Sequence, residues 1–349
     1  MRIYIYKMKK RFLGKLEVSP IGMGCMGLSH GYGKIPEEKY SIEAIKKAYE
    51  FGCNFFDTAE CYGPDLKPEN YGHNEKIVGK ALKDVRDKVV IATKFMITKE
   101  EAEKGIEKTI REHLMASLER LQTKYVDLYY LHCMNRQVSL EEIAKVMGKL
   151  IKEGLIKGWG LSQVSKQTIE RAHKITPVSA VQNIFSMVER GSEEEVIPYC
   201  IKNNIGFVAF SPIASGLLSG KININTDFSH SDDVRKFVPQ LDKENILKNK
   251  PIVDLVEKFA KLKNCTLAQI SLAWMLKKFP KILVPIPGSK NKERILENLG
   301  AWNVKLSDNE LKELDGELNK IVVNGYRGFE EFMDSDFSNW GKDRKYIKK

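Results

Sequence analysis

Long apolar runs are missing from this chain of 349 residues. None approaches the roughly 20 residues that a membrane-spanning helix needs, and the apolar stretch within residues 1–11 is too short for the core of a signal peptide. Proline is sparse, with 12 in the chain, and no Gly/Ser/Pro-rich linker or low-complexity tract marks a domain boundary. The six cysteines, at positions 25, 53, 61, 133, 200 and 265, include no Cys-x-x-Cys pair. That excludes the usual zinc spacing and points to reduced, mostly buried thiols. The six histidines contain neither His-x-His nor His-x-x-x-His, so a metal-dependent hydrolase is disfavoured and no metal is expected. Lysine and arginine number 57 against 46 acidic residues, a formal charge of +11, but the basic residues are scattered. The densest spots, residues 7–11 and 342–349, hold only a few charges each, so neither nucleic acid nor a membrane surface is expected as partner. The expectation is a soluble, cytoplasmic protein.

What the chain does have is a composition of 42% hydrophobic and 30% charged residues, enough to bury a large core, and a regular alternation of pattern. After a hairpin-like opening, Arg11-Phe-Leu-Gly14-Lys-Leu-Glu-Val18, short β-branched or aromatic runs occupy residues 21–24, 54–57, 89–94, 125–131, 156–161, 180–183, 206–210 and 282–286. Amphipathic stretches lie between or after them at 37–51, 74–82, 105–121, 140–153, 165–175, 193–203, 266–279 and 292–298. Eight β–α units predict an α/β fold of the (β/α)8 TIM-barrel type with an N-terminal hairpin. The whole of 1–349 reads as one domain, with a barrel core of about 11–320 and a C-terminal tail, 321–349, over the barrel mouth. That tail carries Tyr326, Phe329, Phe332, Phe337, Trp340 and Tyr346, and a second long segment, 221–249, follows the seventh strand.

Two phosphate-binding patterns fail on their context. Gly22-Met-Gly24-Cys-Met-Gly27 matches G-x-G-x-x-G, but Gly31, Gly33 and Pro36 follow, so no helix opens there to receive a pyrophosphate. Gly216-Leu-Leu-Ser-Gly220-Lys221 is one residue short of a P-loop, and Ile222 stands where a hydroxyl is needed.

The chemistry of a TIM barrel sits at the C-terminal ends of its strands. Three successive predicted strands end in Asp57, Lys94 and His132, and Tyr62 follows on the loop after Asp57. Adjacent strands lie about 4.8 Å apart, so these groups can converge. An acid, an ammonium, an imidazole and a phenol suit proton transfer to or from a carbonyl or alcohol oxygen. Lys94 is expected to lower the pKa of Tyr62, Asp57 to hold Lys94 charged, and His132 to orient the substrate oxygen.

The strings Phe56-Asp57-Thr-Ala-Glu-Cys-Tyr62-Gly63, Ile91-Ala-Thr-Lys94, Tyr125-Val-Asp-Leu-Tyr-Tyr-Leu-His132, Gly160-Leu-Ser162-Gln163, Val181-Gln182-Asn183, Phe210-Ser211-Pro212 and Ile286-Pro-Gly-Ser289-Lys290 resemble, in order and spacing, the aldo-keto reductases. The resemblance runs from about residue 11 to about residue 320. It implies NADPH/NADP+ extended across the barrel top, a small-molecule carbonyl substrate, and a catalytic tetrad of Asp57, Tyr62, Lys94 and His132 with Tyr62 as general acid. It also implies that Ser162, Gln163 and Gln182 meet the nicotinamide carboxamide and that Phe210 stacks on the ring. Gln163 replaces a more usual asparagine and Phe210 a frequent tyrosine. Ser211, Leu217 and Lys221 would follow the pyrophosphate. Gly288, Ser289, Lys290, Arg294, Glu297 and Asn298 would meet the adenosine and its 2′-phosphate, Gly288 standing where some members carry lysine. Substrate choice is expected from residues 25–30, Phe95, Met96, Cys133, Met134 and the aromatic tail. The alternative function is a cofactor-binding regulatory subunit like the potassium-channel β subunits, with little turnover.

Overall fold

The computed structural model describes residues 9–65 and 67–327. Strands β1 (Arg11–Leu13) and β2 (Leu16–Val18) form the expected antiparallel hairpin, turned at Gly14. Eight further strands follow: β3 (Met23–Gly24), β4 (Phe55–Asp57), β5 (Val90–Phe95), β6 (Val126–Leu131), β7 (Ile156–Ser162), β8 (Ala180–Ile184), β9 (Gly206–Phe210) and β10 (Leu283–Pro285). They pair in sequence order, every neighbour parallel. The ring closes where Gly22 N–H donates to Pro285 O at 3.0 Å, and a parallel bridge joins Gly24 to Gly288. The backbones meet so closely there that a Cβ on Gly24 would lie 2.8 Å from the Ile286 carbonyl oxygen. The fold is therefore the (β/α)8 barrel that the alternation predicts.

Helices α1 (Glu38–Glu50), α2 (His73–Leu82), α3 (Lys99–Glu103), α4 (Ile106–Leu121), α5 (Leu140–Lys152), α6 (Lys166–His173), α7 (Val196–Lys202), α8 (Lys243–Lys248), α9 (Lys250–Lys263), α10 (Leu267–Lys278), α11 (Lys292–Gly300) and α12 (Asp308–Leu318) surround the strands. Thr98, Ser139, Ser165, Thr266 and Ser307 cap helix N-termini by accepting the backbone N–H three residues on. Helix α5 shows the rest of the logic: Leu140, Ile143, Ala144, Met147 and Leu150 fall on one face and are buried. Helices α3, α8, α9 and α12 lie outside the expected set of eight, so part of the predicted long loop is helical. None of the described helices is long and apolar enough to cross a membrane.

Hydrophobic material fills both sides of the strand ring. Outside it, Trp159, Phe185, Phe207 and Trp274 are fully buried under helices. Inside it, Phe55, Val90, Ala92, Leu128, Tyr130, Ala180, Val208 and Val284 pack with Leu13, Leu16 and Val18 of the hairpin, which plugs the barrel bottom. Tyr326 is described, while the remaining tail aromatics from Phe329 onward lie outside the described residues.

Candidate active site

Strand register explains how distant residues reach one spot. Side chains alternate across a strand, and residues paired between parallel strands share a face. Asp57 pairs with Ala92, Ala92 with Leu128, Lys94 with Tyr130, Tyr130 with Gly160, and Ser162 with Gln182. Two-residue steps along each strand then place Asp57, Lys94, His132, Ser162, Gln182 and Phe210 on the inner face, above the apolar layer. Gly160 makes room for this layer, since a Cβ there would lie 2.4 Å from the Tyr130 ring.

Lys94 is fully buried and Asp57 is 3% exposed. The ammonium donates to Asp57 Oδ1 at 2.5 Å, Thr58 O at 2.7 Å and the Tyr62 hydroxyl oxygen at 3.3 Å. Its three protons are thereby committed, which leaves the phenolic proton of Tyr62 for a group in the cavity. Asp57 Oδ2 accepts from Gln182 Nε2 at 2.7 Å, so Gln182 holds the carboxylate from the far side of the barrel. Tyr62 is fixed by its own loop: Asn74 N–H donates to its carbonyl at 3.1 Å, and its ring meets that of His132 edge-on at 5.7 Å.

Burial, followed by the Asp57 carboxylate, raises the Tyr62 phenol well above its ordinary value. This corrects the expected lowering by Lys94: that charge is matched by Asp57 at shorter range, and a buried phenolate lacks solvation. Tyr62 is consequently a neutral donor. Burial also pushes the Asp57 carboxyl up, against the opposing charge and hydrogen bond of Lys94 and the hydrogen bond from Gln182. His132 is pushed down to about 3 by burial and then by Lys94, so its imidazole is neutral.

These groups open into a cavity of about 890 Å³. Asp57, Tyr62, His132, Ser162, Gln163, Gln182, Phe210, Ser211, Lys221, Gly288, Ser289, Lys290, Arg294, Glu297 and Asn298 all line it, whereas Leu217 is buried in the outer core and does not. Lys94 stands behind Tyr62. Lys290 reaches the wall, but its Nζ donates to the carbonyls of Tyr32 at 2.7 Å and Lys34 at 3.0 Å. Arg294 is exposed near the N-terminus of α11, where Asn291 Oδ1 caps its N–H, and it makes no ion pair with any described residue. Of the expected specificity residues, Met26, Gly27, His30, Met96, Cys133 and, from the tail, Tyr326 line the cavity. Cys25, Leu28, Phe95 and Met134 do not.

Several wall residues had no signal in strand periodicity. Ser215 and Gly216 sit in left-handed backbone conformations after β9, and the Ser215 hydroxyl is buried against the cavity without a hydrogen-bond partner among the described residues. Its neighbours Ser211 and Ala214 also have positive φ, so this loop winds tightly and turns polar groups toward the cavity. Asn183 accepts from Val164 N–H at 3.2 Å and donates to Val164 O at 2.9 Å, which pins the turn carrying Gln163. Glu60 accepts from Met96 N–H at 2.9 Å and meets His113 Nδ1 at 2.7 Å, tying the loop before Tyr62 to the end of β5.

The family model described as Aldo/keto reductase family matches residues 20–319. A Glycine max protein described as a probable aldo-keto reductase 1 is 40% identical over 329 residues, covering 93% of this chain and 91% of its own. The solved glycerol dehydrogenase from Gluconobacter oxydans is 27% identical, with a TM-score of 0.78 over 90% of this chain and 96% of its own. An aldo/keto reductase from Klebsiella pneumoniae, solved in complex with NADP and acetate, is 26% identical. It covers 88% of this chain and 95% of its own, with a TM-score of 0.68.

Proposed function

Because this chain belongs to the aldo/keto reductase family, we propose that it is an NADP-dependent oxidoreductase, reducing an aldehyde or ketone to an alcohol with Tyr62 as general acid. The observation that carries this reading is the proton arrangement at Lys94. With its three donors committed to Asp57, Thr58 and Tyr62, the phenol is left to hand its own proton into the cavity.

The wall residues suit a dinucleotide. The Ser215 hydroxyl, unpartnered among the described residues, offers a donor for a phosphate oxygen, and Arg294, which pairs with no described carboxylate, is available to the 2′-phosphate through paired hydrogen bonds. Ser162 and Gln163 would meet the nicotinamide carboxamide and Phe210 its ring. Gln182 would share this task with its hold on Asp57, and Lys221, Ser211, Ser289, Glu297 and Asn298 would serve the rest of the molecule. Lys290 would act chiefly by fastening the first loop. NADPH, when bound, supplies the hydride.

The protein's own part is then positioning and proton transfer. His132 and Tyr62 converge on the carbonyl oxygen, and Tyr62 protonates it as negative charge develops there. Lys94 supports the phenol oxygen as the proton leaves, and Asp57 holds Lys94 in place. Tyr62→Phe removes one hydroxyl and little volume, so turnover should fall by about 10² or more. NADPH oxidation with a panel of aldehydes, beside a cofactor titration, tests this: NADPH affinity should stay near normal, and near-normal turnover would remove Tyr62 from its role. Tight NADPH binding by the wild type without turnover on any carbonyl would instead favour a cofactor-binding regulatory protein.

A further inference from the structure

Cys61 precedes Tyr62 on the loop after β4 and is 5% exposed. Its Sγ lies 3.5 Å from Nδ1 of His132. A neutral imidazole carries one proton, on either nitrogen, and the hydrogen bond made by one nitrogen decides which carries it. His132 lines the cavity, and its Nε2 bonds to no described residue. The position of that single proton therefore determines whether Nε2 presents a donor or a lone pair.

A lone pair facing a carbonyl oxygen would repel it, whereas an N–H would attract it and attract the developing alkoxide more strongly. The Cys61 thiol is held up to about 12, chiefly by burial, and so keeps its proton through the neutral range. Two arrangements remain for the 3.5 Å contact. In one, a weak S–H donor meets a good imidazole acceptor; in the other, an imidazole N–H meets a weak sulfur acceptor. Burial favours the first, since the better acceptor is then the atom satisfied and sulfur loses little by being unpaired.

We propose that Cys61 is a positioning residue: by donating its S–H to Nδ1 it holds His132 as the Nε2–H tautomer, which can donate to the carbonyl oxygen under reduction. This rests on the reductase reading for its purpose, though not for the tautomer itself. Cys61 touches neither of the reacting atoms in this scheme. Its effect passes entirely through the ring of His132, which separates it from a residue that merely fills space.

The test combines the nitrogen-15 spectrum of the His132 ring with steady-state kinetics, in the wild type, Cys61→Ala and Cys61→Ser. The spectrum is recorded without substrate or cofactor and assigned by its loss in His132→Gln. Wild-type protein should show a pyrrole-type Nε2 and a pyridine-type Nδ1. Cys61→Ala should give a mixture of tautomers and lower kcat about two- to tenfold, the range of one modest hydrogen bond, while KM shifts less. Cys61→Ser, which restores a donor, should recover both the tautomer and most of the rate. A wild-type ring protonated at Nδ1 overturns the proposal, as does a Cys61→Ala ring that keeps the Nε2–H form. A serine variant as impaired as the alanine one assigns the effect to packing and overturns it too. Should Cys61→Ala fail to fold, the wild-type spectrum together with the serine variant still decides. Absence of turnover in the wild type would sink the reductase reading, while the ring spectrum would still report whether Cys61 sets the tautomer.

Discussion

Removing the ammonium of Lys94 while leaving Asp57 would strand a carboxylate that is 3% exposed and whose remaining side-chain donor is Gln182. A buried ion pair contributes little net stability when intact, yet losing one partner costs about 3–5 kcal/mol. Lys94→Met should therefore lower the urea midpoint substantially and cut turnover by about 10², since Tyr62 also loses the donor supporting its oxygen. Combining it with Asp57→Asn should restore most of the stability, because the amide oxygen can still accept from Gln182, and none of the turnover. If the double variant regained activity, Lys94 would be a structural counter-ion only. The residues concerned were legible as a set in the sequence because strand ends in a barrel converge. The direction of the Tyr62 shift was not, because burial and the match between Lys94 and Asp57 depend on distances that spacing does not contain.

Two loops, rather than two residues, close one side of the cavity. Asp233 bridges to Tyr32, Val234 N–H donates to Gly31 O at 3.1 Å, and Gly33 N–H donates to Asp232 O at 3.3 Å. Asp232 adds its carboxylate, accepting from Gly31 N–H at 3.2 Å and meeting His30 Nδ1 at 3.2 Å. Arg235 pairs with Asp233 and lies over the rings of Tyr32 and Phe228, so this segment is stitched along its length. Tyr32, Val234 and Arg235 line the cavity beside Ser289 and Lys290, which places the clasp across the proposed cofactor path. Asp232→Ala should consequently speed NADPH release about five- to tenfold, the equivalent of roughly 1 kcal/mol of hydrogen bonding, with little change in tetrad geometry. Stopped-flow cofactor fluorescence measures this, and an unchanged release rate would mean that the clasp does not gate the site. The length of 221–249 hinted at such a role, but its partner, the turn at 30–33, is some 200 residues away and had no signature in either segment.

Across the whole barrel, the hairpin that plugs the bottom packs against the last strand and is also hydrogen-bonded to it through the side chain of Arg11. Arg11 is buried and donates to the carbonyls of Phe279 at 2.6 Å, Leu283 at 2.5 Å and Leu276 at 2.7 Å. Those carbonyls end α10 and begin β10, so the bond set links the start of the chain to the eighth barrel strand. Arg11→Met keeps the apolar stem but leaves three acceptors without this donor, which should cost about 2–4 kcal/mol. A urea unfolding curve should show a lower midpoint at unchanged slope, and cofactor affinity should hold, because the plug and the cavity occupy opposite ends of the barrel. A loss of affinity matching the loss of stability would place Arg11 in the site's architecture after all.

By itself the sequence determined the eight-unit barrel, its hairpin, three polar groups at the ends of successive strands and a phenol on the loop after the first of them. These follow from period-two burial, helix patterning and local spacing, all of which act between near neighbours. Only the tertiary structure decided that Gln182 grips Asp57, that Lys290 fastens the first loop, that Leu217 belongs to the core and that Cys61 meets His132. The first two depend on closing the strand ring, which brings together residues as far apart as Tyr32 and Lys290. Competition among donors for one acceptor, and of burial against charge, is settled by distances of a few tenths of an ångström. Those distances exist only once the barrel has closed.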